Sequence, residues 1–116
     1  MPVTNRHFEE LAYLVDQLED SSNFEIDIGH FMELSNYLKA ELNYQYHRDY
    51  EIQKRLGQIP DWDPFPPDEG FLEKLLPTSS RKMYGKYKHK QKVMDQVRQT
   101  GTVFYNIHLL IREELA

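Results

Sequence analysis

Between positions 83 and 115, ten residues recur at alternating spacings of four and three: Met83, Tyr87, Lys90, Met94, Val97, Gly101, Phe104, His108, Ile111 and Leu115. That period belongs to one face of an α-helix, and most of these side chains are apolar or small. Thr78, Ser79 and Ser80 supply a cap, so the spacing predicts a helix over 79–115. A helix with one long apolar face must bury it against other helices or a sheet. Gly101 lies on the stripe itself. A helical glycine costs about 1 kcal/mol relative to alanine. Its position predicts close packing of a neighbouring backbone or a kink there, with a break at 100–102 as the alternative.

The rest of the chain supplies helical partners. Thr4 or Asn5 caps a first helix, about 5–20, with Phe8, Leu11, Val15 and Leu18 on one face. Asp27 caps a second over 27–56, carrying Phe31, Leu34, Leu38, Leu42, Ile52 and Leu56, with Gly57 and Pro60 beyond it. Residues 24–28 (FEIDI) alternate with period two and read as a short extended piece. The segment 57–70 holds four prolines and two glycines, which exclude a regular helix. A short helix follows over 68–76, stopped by Pro77. No segment sustains a strand pattern. The expected fold is all-α: one domain, an antiparallel helical bundle of three main helices with a short fourth in a proline-rich crossover. The first helix, about 24 Å long, reaches roughly half-way along a second of about 45 Å. The uncovered stripe is left to the short helix, to the loop around Trp62, or to a second copy of the chain.

Composition removes several classes of function. The chain has no cysteine, so disulfides and thiolate metal sites are excluded. Its apolar runs are far too short for a membrane span, and its first residues lack the pattern of a signal peptide. A cytoplasmic protein is expected. Phosphate loops, nucleophile elbows and His-Glu-x-x-His motifs are missing, and no convergent acid–base set is visible, so no enzyme and no cofactor is expected. His30, Glu33 and His108 form the one conceivable metal set; buried or rim histidines are the favoured reading, and no metal is expected.

Two features point to partners. Four of eight tyrosines fall between 37 and 50: Tyr37, Tyr44, Tyr46 and Tyr50. Tyrosine suits both a core rim and an interface, because its ring buries while its hydroxyl stays wet. With Trp62 and Phe65 in the crossover, these residues form the candidate partner-binding set, although an aromatic pair in such a loop more often pins it to the core. The second feature is charge. Seven of fourteen basic residues lie between 81 and 98 with one acid, Asp95, while residues 9–33 hold eight acids and no lysine or arginine. Arg81, Lys88 and Lys92 cluster on a helical wheel, with Lys82, Lys86 and Lys90 as a second row. Such rows can follow a phosphate backbone, yet a net charge of −5 argues against a dedicated nucleic-acid binder. The expected function is a non-catalytic protein–protein interaction module, an adaptor, inhibitor or assembly factor. The alternative is an accessory subunit that contacts nucleic acid within a larger complex.

Overall fold

The computed structural model describes residues 3–22, 24–62 and 86–115, with the side chains of Glu25 and 86–90 left aside. It is an all-α bundle. The described helices are α1 (Asn5–Glu19), α2 (Phe24–Gln45), α3 (Tyr50–Leu56) and α4 (Lys86–Ile111), the last followed by a 3-10 turn (Arg112–Glu114). The predicted helix over 68–76 and the start of the last helix, 79–85, lie outside the described residues.

Helix α1 starts where its cap predicts. Thr4 has an extended backbone, and its amide donates to His7 Nδ1 over 3.0 Å. His7 thus reaches back to the cap as a glutamate or glutamine does in a capping box. Helix α2 begins three residues before Asp27, so the expected cap is inside the helix. There its carboxylate accepts from Ser21 Oγ and ties down the α1–α2 turn. The FEIDI segment is accordingly helical. Ile28 is buried and Ile26 exposed, and Phe24, Ile28 and Phe31 follow helical spacing into the core. A five-residue alternation fits both periods; continuity with the stripe at Phe31 decides for the helix.

The predicted helix over 27–56 is divided. It stops at Gln45, turns through 46–48, and restarts as α3. Asp49 caps the restart, its Oδ1 accepting from the Ile52 amide at 3.0 Å. An aspartate side chain that satisfies a backbone amide in this way competes with an uninterrupted helix. Gln53 Nε2 donates to Tyr46 O at 3.0 Å and holds the reversal.

The reversal sends the chain back along α2. Lys39 Nζ donates to Ile59 O at 2.6 Å and pairs with Asp61 at 3.0 Å. Further down, Asn36 grips the backbone of Trp62 twice, Oδ1 accepting from its amide at 3.0 Å and Nδ2 donating to its carbonyl at 2.7 Å. The indole packs edge-on to Phe31, ring centres 5.9 Å apart.

Helix α1 packs against both α2 and α4. His7 meets Tyr37, and Ser21 meets Asp27, so α1 and α2 are antiparallel. Asn5 meets His108 and Glu19 meets Arg98, so α1 and α4 are antiparallel as well. It follows that α2 and α4 run parallel. The core between them holds Phe8, Leu11, Leu18, Phe31, Met32, Leu38, Leu42, Ile52, Val97, Phe104 and Ile107. Helix α4 runs unbroken through Gly101. A β-carbon there would stand 3.3 Å from Val15 Cγ2, so the glycine marks close approach to α1.

Candidate interaction surface

The α2–α3 reversal sorts the four clustered tyrosines. Tyr37 is half-buried, its ring 5.4 Å from that of His7. Tyr46 turns back onto the C-terminal turn, its hydroxyl donating to Glu114 Oε2 at 2.8 Å. Burial, then this hydrogen bond and the nearby Glu114 and Asp49 charges, push its phenol up to about 12. Tyr44 and Tyr50 project outward, 82% and 79% exposed, on either side of the exposed His47 and Arg48. His47 Nδ1 lies 3.1 Å from Tyr44 O. The corner therefore has a fixed backbone, set by the Asp49 cap, the Gln53 bond and the Tyr46–Glu114 bond, and two free aromatic rings. Tyrosine offers a large amphipathic contact with only two side-chain torsions to immobilise.

Trp62 belongs to the interior. It is 6% exposed, so its ring is taken up by the chain's own core and is withdrawn from the partner-binding set. The gain from burying an indole on Phe31 exceeds what a flexible exposed loop offers it. Phe65 lies outside the described residues.

The basic segment is described in part. Arg81 and Lys82, and the side chains of Lys86, Lys88 and Lys90, lie outside the described residues. Lys92 is half-buried. Arg98 is held by two carboxylates, Glu19 Oε1 at 2.8 Å and Asp95 Oδ1 at 3.0 Å. The hydrogen bond to Glu19 leads the influences that raise its pKa further. Arg98, at the end of the basic segment, thus meets the acidic first third of the chain at the C-terminal end of α1.

The histidines do not converge. His30 sits beside Glu10, Leu14 and Glu33 in an open hollow between α1 and α2. His108 stacks flat on Phe8, centres 4.5 Å apart, with Nε2 2.7 Å from Asn5 Oδ1. Burial lowers its pKa, with Glu9 acting against that shift and Arg112 with it. The conceivable set of His30, Glu33 and His108 assumed that the two long helices run in opposite directions. They run parallel, and the α1 residues beside each histidine, Leu14 and Phe8, are about 9 Å apart along the axis. Among the described residues no three metal-ligating side chains come together.

Spacing alone missed three exposed apolar residues on α4: Tyr105, Leu109 and Leu110. Their signal was present, since Tyr105 and Leu109 both fall beside the apolar stripe and cannot be buried with it. Among the described residues, no helix is long and apolar enough to cross a membrane. Comparison with protein-family models, with curated proteins and with solved structures gives no match.

Proposed function

We propose that the chain is a non-catalytic protein–protein interaction module that docks a partner protein on the Tyr44–Tyr50 corner. The supporting observation is the pair of almost fully exposed tyrosines on a corner whose backbone is fixed from three sides. A rigid platform limits the ordering cost of binding, and tyrosines are enriched among the residues that dominate interface energies. His47 and Arg48 between them add donors for an acidic or carbonyl-rich surface. The nucleic-acid reading rests on Arg81, Lys82, Lys86, Lys88, Lys90 and Lys92, and among these side chains only Lys92, half-buried, lies within the described residues.

The test is affinity isolation from extracts of the native cells. A species retained by the wild-type chain should be lost with Tyr44→Ala/Tyr50→Ala and kept with Tyr13→Ala, a control at another exposed tyrosine. Equal retention by the double variant would overturn the proposal. So would a species released by nuclease and salt, which would favour nucleic-acid contact.

A further inference from the structure

The start of α1 is closed by a residue that titrates. The Thr4 amide donates to His7 Nδ1 at 3.0 Å, and Thr4 Oγ1 lies 3.1 Å from the same nitrogen. A backbone amide is only a donor, so Nδ1 offers its lone pair, and the neutral ring carries its hydrogen on Nε2. Glutamine or glutamate holds this position in an ordinary capping box. Glutamine never titrates, and glutamate caps as the anion. An imidazole, by contrast, changes charge between about pH 5 and about pH 8.

Protonation removes the acceptor. An Nδ1–H meets the Thr4 N–H donor to donor and can turn only to the Thr4 hydroxyl, so the amide loses its partner. The new charge also sits in the first turn of α1, where the helix dipole is already positive. Arg6 stands next to His7 on α1, and Glu10 one turn along. On α2 its neighbour is Tyr37, ring centres 5.4 Å apart, with Glu33 and Glu41 one turn to either side. From α4, His108 meets Asn5, with Arg112 one turn beyond. Glu10 and Glu33 are exposed, so water and salt screen their attraction for the cation. Among the described residues, Nδ1 bonds only to Thr4.

We propose that His7 makes the N-terminus of α1 an acid-sensitive latch, capped while the ring is neutral and released when Nδ1 takes a proton. The latch sits where three parts of the chain are tied together. Val3, just before the cap, is buried. Asn5, just after it, has Oδ1 2.7 Å from His108 Nε2 and donates from Nδ2 to the Leu115 carbonyl at 3.3 Å. The neighbouring Glu114 in turn accepts from the Tyr46 hydroxyl. Release of the cap therefore loosens the end of the bundle that carries the C-terminal turn. His108 works in the same sense. Burial lowers its pKa, so its contribution is complete above the ordinary histidine range and is lost as pH falls. The latch does not depend on partner docking at the tyrosine corner.

His7→Gln separates the cap from the proton, because glutamine accepts from the cap amide and does not titrate. The full chain and its variants are compared by NMR at about pH 8 and about pH 5. In wild type the Thr4 amide resonance should move with the His7 titration. Exchange protection of the His7 amide, which bonds to Thr4 O at 3.1 Å, should fall on acidification by about threefold or more relative to that of the core residue Ile107. In His7→Gln both readouts should stay level, and in His7→Ala both should show the acid value at either pH. His108 is present in all three chains, so its contribution cancels from the comparison. Thermal unfolding should agree, acid lowering the wild-type midpoint by more than that of His7→Gln. A neutral His7 with its hydrogen on Nδ1, seen in the ring nitrogen shifts, would overturn the proposal. So would a Thr4 amide that ignores the His7 titration, or a His7→Gln chain that follows wild type across the pH range.

Discussion

Two side chains carry much of the local order, and both can be tested singly. Tyr46 is a phenol whose folded pKa, about 12, stands above its ordinary value of 10.0. The unfolded chain therefore loses this proton first as pH rises. The stabilisation is fully present below pH 10 and is lost as pH climbs toward about 12. In a spectrophotometric titration one phenolate should appear late, and Glu114→Gln should bring it forward; an unchanged curve in that variant would dissociate Tyr46 from Glu114. Asn36 is the other. It pairs with both backbone groups of Trp62, so Asn36→Ala should cost about 1–3 kcal/mol, with two backbone groups left to find water. The chain has one tryptophan, so its fluorescence reads this site directly. The native emission should be blue-shifted, and the variant's red-shifted; identical spectra and denaturation midpoints would contradict the clamp. Little of this was legible beforehand. Trp62 was a clear candidate for pinning the loop, but Asn36 is a polar residue with no sequence mark of its partner 26 positions away.

At the scale of elements, caps and periods were read where both agreed. Helix α1 falls within one residue of its expected bounds because Thr4 and the 3-4-3 spacing point to the same start. The division of the second helix was missed because its apolar residues on both sides, Leu42 and Ile52, fit one continuous wheel. The sign of the break was Asp49 three residues before Ile52, a cap signal inside an apparently continuous helix. Gly101 was read as a point of close approach by a neighbouring backbone or a kink; the neighbour is a side chain, that of Val15. Its contact with Val15 yields a prediction. Gly101→Ala gains helix propensity worth about 1 kcal/mol, but a β-branched valine has little freedom to move aside. The substitution should therefore stabilise more in a Val15→Ala background than in wild type, by about 0.5–1 kcal/mol. A double-mutant cycle by chemical denaturation measures this, and additivity within error would contradict the contact.

For the whole molecule, direction decides what the surfaces can do. Helices α2 and α4 run parallel, which separates His30 from His108. The arrangement also gathers the C-terminus of α2, the N-terminus of α1 and the C-terminal turn at one end. That relation was beyond the sequence, because helical spacing does not record the direction in which one helix runs against another. The pairing of Arg98 with Glu19 was only partly foreseeable, since composition shows segregation but not which charges meet.

Docking of a partner protein on the Tyr44–Tyr50 corner, as proposed above, can be tested in place. The most direct measurement places a photoreactive benzophenone amino acid at position 44, at position 50, or at the exposed Gln17 as a control. Each chain is irradiated in the native cell extract. One discrete adduct is expected from positions 44 and 50 and none from 17. Unlabelled wild-type chain should abolish that adduct by competition, and Tyr44→Ala/Tyr50→Ala should not. An adduct equally strong from position 17, no adduct from either corner position, or a double variant that competes as well as wild type would contradict it.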